Sequence, residues 1–76
     1  MSTLSDEVKV RFTYRAPKPD QIPRFTRIRE YALGFGQELV RSCPESRELS
    51  TALTKLDEVV MHANAAIARR EPEGTG

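Results

Sequence analysis

The stretch SRELSTALTKLDEVVMHANAAIARR, residues 46–70, decides the fold. Leu49, Leu53, Leu56, Val60, Ala63 and Ile67 recur at spacings of three and four, the mark of an amphipathic helix. The pattern predicts a helix from about Arg47 to Arg70, closed by a basic pair that suits the negative end of the helix dipole. A second ribbon flanks the apolar stripe. Arg47, Thr54 and Met61 superpose seven residues apart, with Asp57 and Asn64 between them and the stripe. Such a ribbon is either an interface between copies, hydrogen-bonded to itself, or the polar floor of a small-ligand site.

Upstream, Phe25, Ile28, Ala32, Phe35 and Leu39 also recur every three or four residues, predicting a first helix from about Asp20 to Arg41. Asp20 is its expected N-cap, and Pro23 is tolerable in its first turn. Gly34 and Gly36 weaken its middle by up to about 1 kcal/mol each, which suggests a close neighbour or a kink. The break SCPES, residues 42–46, carries Pro44 and cap-competent serines. So short a connection makes the helices antiparallel neighbours, an α-hairpin. The arc on the second helix also takes in Ala52, Val59 and Ala66, more than one partner helix covers. The surplus predicts a homo-oligomer.

Residues 8–15, VKVRFTYR, alternate: Val8, Val10, Phe12 and Tyr14 fall on one face and Lys9, Arg11, Thr13 and Arg15 on the other. That period of two predicts a short strand, pairing with another subunit or packing across the helices. Pro17 and Pro19 then impose a stiff connector. The expected organisation is a mainly α chain: an N-terminal strand and Pro-rich connector over 1–19, the hairpin domain over 20–70, and a disordered tail over 71–76.

A chain of 76 residues is one small domain, burying only roughly 60% of its unfolded surface. Cys43 is the only cysteine, so no internal disulfide braces it, and with one histidine it cannot form a zinc site. The first ten residues lack a signal-peptide pattern, and no window approaches the roughly 18 apolar residues of a membrane span. A soluble intracellular protein is expected. Net charge is +1, but residues 1–41 hold eight basic and five acidic side chains, against four and six in residues 42–76.

No catalytic constellation is evident. His62 points about 140° from the apolar stripe, and the adjacent Asp57 and Glu58 diverge by about 100°. An enzyme is therefore not expected, nor is any cofactor. The basic segment says more: between Lys9 and Arg29 stand seven Lys or Arg against one acid, Asp20, with Phe12, Tyr14 and Phe25 interleaved. Aromatic faces and guanidinium groups serve bases and phosphates; a solvated charged surface is the plain alternative. Arg29 lies about 40° from Phe25, at the edge of the buried stripe, where a cation needs an anion or an acid.

These residues resemble a known family. CPESRELSTALTKLDEVVMHANAAIARR, residues 43–70, is similar to the pattern Cys-Pro-x-Ser-Arg-Glu-x-Ser, Leu-Thr-x-Leu-Glu, Met-Trp-Ala-Asn-x-x-Ile-Ala of small phage-encoded sponge proteins sharing the hairpin domain of anti-CBASS and anti-Thoeris inhibitors. FTYRAPKPDQIPRFTRIRE, residues 12–30, resembles the Thr-Tyr-His-x-Pro opening and the Arg-Tyr-x-x-Ile-Arg of the family's first helix. The resemblance implies a helical hairpin assembling as dimers to hexamers in the bacterial host cytoplasm. It would bind a cyclic di- or trinucleotide, or a cyclic ADP-ribose isomer, without cleaving it. Sites between subunits are implied, with Tyr14 stacking on a base and Arg29 contacting phosphate. Arg47, Thr54 and Asn64 match the family's polar pattern. Arg15 stands where His is usual and would add a phosphate contact, and His62 stands where Trp is usual. A nucleic-acid-binding or protein-interaction accessory module is the rival function.

Overall fold

The computed structural model describes residues 3–71, which form three helices: α1, Leu4–Phe12; α2, Ile22–Ser42; and α3, Arg47–Arg70. α2 and α3 pack side by side as the expected hairpin. α3 begins where the sequence pattern places it. The Ser46 hydroxyl accepts a hydrogen bond from the Leu49 amide at 3.1 Å and donates one to the Pro44 carbonyl at 3.0 Å, fixing both the cap and the turn before it. α2 ends as the Cys43 amide bonds the Leu39 carbonyl at 3.0 Å.

α2 starts later than expected, at Ile22, and Asp20 does not cap it. Gln21 occupies the cap position in a helical conformation and makes no side-chain cap bond. The chain instead turns beforehand, the Lys18 carbonyl accepting from the amides of Gln21 at 2.9 Å and Ile22 at 3.3 Å. Pro23, in the first turn, has no amide proton to strand. Asp20 pairs with Arg24 at 3.3 Å.

The strand expected over residues 8–15 is a correction: there is none among the described residues, and residues 4–12 are helical. Thr3 and Asp6 close a reciprocal capping box, the Thr3 hydroxyl accepting from the Asp6 amide at 3.1 Å. Leu4, Val8 and Phe12, one turn apart, then share a helical face, so the apolar residues fit either period. Helix wins because its first turn is capped and its middle is gripped by α3. The Glu7 carboxylate accepts two bonds from the Arg70 guanidinium, at 2.8 and 3.0 Å, and one from Arg11 at 2.8 Å. These bonds hold the Glu7 carboxyl down at about 2, the Arg70 hydrogen bond contributing most.

The hairpin encloses almost nothing. Among the described residues only Leu49 is a buried apolar side chain, while Leu33, Phe35, Val40, Val59 and Met61 are exposed. The radius of gyration is 15.8 Å, where a compact chain of this length has about 11 Å. An open groove of about 660 Å³ over Leu33, Gly36, Val40 and Leu53 is part of this uncovered surface. A Cβ on Gly36 would lie 3.6 Å from Leu56, ordinary contact, whereas Gly34 faces open space. Among the described residues no helix is long and apolar enough to cross a membrane. Residues 72–76 of the expected disordered tail lie outside the described residues; Glu71 is held by Arg24 at 2.6 Å.

Candidate functional site

The connector over residues 13–20 carries Tyr14 and Arg15 across the end of the hairpin where α2 begins and α3 ends. Beneath it opens a cavity of about 440 Å³, lined by Arg15 of the connector, Gln21 and Phe25 at the start of α2, and Met61, Asn64 and Arg69 of α3. Small-ligand sites fall in this size range and combine apolar walls with a few convergent polar groups. Phe25 and Met61 supply the walls. Arg15 and Arg69 bring two guanidinium groups to one space, and guanidinium forks suit phosphate oxygens. The Asn64 Oδ1 is buried and accepts no hydrogen bond in this structure. A buried acceptor left so is costly unless a donor reaches it.

An adjoining cavity of about 350 Å³ shares Arg15 and Gln21 and adds Tyr14, Lys18 and Glu71. Tyr14 is 86% exposed, its ring face open to a planar group. Glu71 is the acid of this wall, and it is already engaged. Arg24 donates to both its oxygens, at 2.6 and 2.9 Å, and Gln21 donates a further bond at 3.0 Å. The Arg24 bonds, then the Gln21 bond, hold the Glu71 carboxyl at about 2. The acid is thus engaged by its neighbours, with the Lys18 charge also acting on it.

The six side chains singled out in the sequence divide among places. Arg15 and Asn64 share the larger cavity, and Tyr14 stands beside Arg15 in the smaller one. Arg29 lies farther along the hairpin in a groove of about 310 Å³ with Leu33, Leu53, Asp57 and Val60. Both Arg29 and Asp57 are exposed there. Arg47 and Thr54 lie outside these three cavities; both are exposed, and the Thr54 hydroxyl donates to the Ser50 carbonyl at 3.1 Å. The ribbon on α3 is therefore split. Asp57 serves the Arg29 groove, Met61 and Asn64 serve the connector cavity, and Arg47 and Thr54 serve neither within one protomer.

Gln21 and Arg69 were not singled out as site residues in the sequence. Arg69 continues the flank of Met61 and Ala65 by one more helical turn, a spacing open to inspection. Gln21 carries no such signal, because its role depends on contacts with residues 46 and 50 positions away. His62 is exposed and borders a separate cleft with Arg11, Arg69 and Arg70.

A family model described as Acb2/Tad1, hairpin domain, matches residues 5–68 of the chain. No curated protein and no solved structure matches it.

Proposed function

This chain belongs to the family of the Acb2/Tad1 hairpin domain, and we propose on that footing that it binds and sequesters a cyclic oligonucleotide or cyclic ADP-ribose-type second messenger. The observation that carries this function is the convergence of Tyr14, Arg15, Asn64 and Arg69 on two adjoining cavities under one connector. An aromatic face, two guanidinium groups and a buried acceptor together match a base, its phosphates and an exocyclic amine. Sequestration requires tight binding and slow release, with no transition state to stabilise, so no general acid, base or nucleophile is called for. The signal stays intact and withheld, and the bacterial defence that it would trigger stays silent. The place of action is the host cytoplasm.

The working unit is a homo-oligomer, between a dimer and a hexamer. A protomer with so little buried apolar surface gains stability chiefly by covering Leu33, Phe35 and Val40 with other copies. Arg29, Arg47 and Thr54 then act at boundaries between subunits, Arg29 against phosphate and the other two as hydrogen-bonding groups. This accounts for their dispersal in a single chain. The organisation is an N-terminal arm over 1–19, the hairpin over 20–70 and a tail over 71–76.

Thermal-shift screening tests the proposal. A true ligand at a hundred times its dissociation constant adds about 2.7 kcal/mol to stability, and no gain from any cyclic nucleotide or cyclic ADP-ribose isomer would contradict it. The exposed cations Lys9, Arg27 and Arg29 favour one rival, a polymeric nucleic acid. Many displaced counterions would make that binding fall steeply with salt, whereas a cyclic dinucleotide offers only two phosphates.

A further inference from the structure

We infer that Gln21 is a positioning residue for the ligand site, its buried carboxamide fixing the connector that bears Tyr14 and Arg15 against the end of α3. This rests on the connector cavities being the ligand site. Gln21 is only 4% exposed, and the carboxamide is used at both ends. Its Oε1 accepts from the Lys18 amide at 3.0 Å, while its Nε2 donates to the Ile67 carbonyl at 3.1 Å and to Glu71 at 3.0 Å. One side chain thus ties the connector to the last turn of α3. The tie propagates outward. Pro17, next to Lys18 on the side of Arg15, has a fixed φ and restricts Ala16 before it, so the direction set at the Lys18 amide bears on where Arg15 and Tyr14 lie. Gln21 also lines both cavities, forming part of the wall between them.

The role differs from that of the neighbouring ion pair. Arg24 holds Glu71 with two bonds of its own, so removing the Gln21 carboxamide cuts the tie from the connector to the last turn of α3 while α2 and α3 remain clasped and the Lys18 carbonyl keeps its bonds to the Gln21 and Ile22 backbone amides. A connector loosened from α3 must be ordered anew at each binding event, and that ordering weakens affinity.

The test compares the full chain with Gln21→Leu and Gln21→Glu. Leucine loses both the acceptor and the donor; glutamate keeps the acceptor for the Lys18 amide but turns a carboxylate toward Ile67 and Glu71. Limited trypsin digestion without ligand reads the connector through cleavage at Arg15–Ala16. Both variants should be cut faster there, with cleavage after Arg29, Arg41 and Lys55, helical circular dichroism and oligomer size unchanged. Cyclic di-AMP, cyclic tri-AMP and cyclic ADP-ribose are then titrated by calorimetry. Whichever binds the unsubstituted protein should bind each variant about tenfold more weakly or worse, as expected when pre-organisation is lost. Unchanged cleavage at Arg15–Ala16, uniformly faster cleavage at all sites, or unchanged affinity would each overturn the assignment. If none of the three probes binds the unsubstituted protein while Arg15–Ala16 cleavage still accelerates, Gln21 orders the connector for some other purpose, and the sponge function falls together with the positioning role.

Discussion

Glu7 of α1 and Arg70 of α3 meet side by side, Oε1 2.8 Å from Nη1 and Oε2 3.0 Å from Nη2. The pair joins residues 63 positions apart, and it sets α1 against the hairpin although Leu4, Val8 and Phe12 remain exposed.

The acid dependence of that attachment follows from its sign. The Glu7 carboxyl sits at about 2 in the folded chain against an ordinary 4.5. A depressed value means that the contribution is full above the ordinary value and fades as pH falls toward the folded one. Attachment of α1 should therefore be constant from neutral pH to about 5 and weaken between about 4.5 and 2. The amide resonances of Val8 and Val10 followed by NMR check this, and Glu7→Gln should show the detached positions already at pH 7. Glu71, also held at about 2 by Arg24, loosens in the same window.

The two helix-interior glycines should respond alike. Gly34 faces open space, and a Cβ on Gly36 would meet only the ends of Leu56 and Leu53, at 3.6 and 4.0 Å. Alanine is better than glycine in a helix by about 1 kcal/mol, so Gly34→Ala and Gly36→Ala should each raise the melting temperature. A fall for Gly34→Ala, with a smaller oligomer by light scattering, would mean that another copy approaches α2 closely at that point.

Covering of the open groove predicts the oligomer's weak point. Leu33 and Val40 line it and are 61% and 58% exposed. Leu33→Asp with Val40→Asp should shift the particle mass downward in light scattering, because a charge buried at an interface without a partner is strongly unfavourable. An unchanged mass would place the contact between copies elsewhere.

Tyr14→Ala and Arg29→Glu separate binding from assembly. Tyr14 makes its case through an exposed ring beside Arg15, and Arg29 through a groove toward the hairpin middle. Each variant should weaken ligand binding in calorimetry, Tyr14→Ala by roughly 5- to 150-fold for loss of a stacking contact of about 1–3 kcal/mol, while oligomer size is retained. Binding kept in both would remove these residues from the site.

The hairpin was legible because two local codes agreed there: the spacing from Leu49 to Ile67 and a serine cap at Ser46 both point to the same α3. The N-terminal segment was misread because Val8, Val10, Phe12 and Tyr14 alternate, whereas Leu4, Val8 and Phe12 also satisfy a helical period. The deciding signals were the Thr3–Asp6 box upstream and Glu7's grip on Arg70, and the second is invisible without the fold. Of the site, Arg15 and Asn64 could be singled out but not joined, since the chain separation between them closes only when the connector folds back over α3. Gln21 is the clearest case: an unremarkable residue in sequence, it becomes a buried polar hub through partners at Ile67 and Glu71.

The most direct measurement is a calorimetric titration of the intact oligomer with cyclic di- and trinucleotides and cyclic ADP-ribose isomers, followed by chromatography of the ligand recovered after denaturation. Saturable binding of one of these rings, recovered chemically unchanged, is the predicted result. No binding across the set, or recovery of an opened ring, would contradict sequestration.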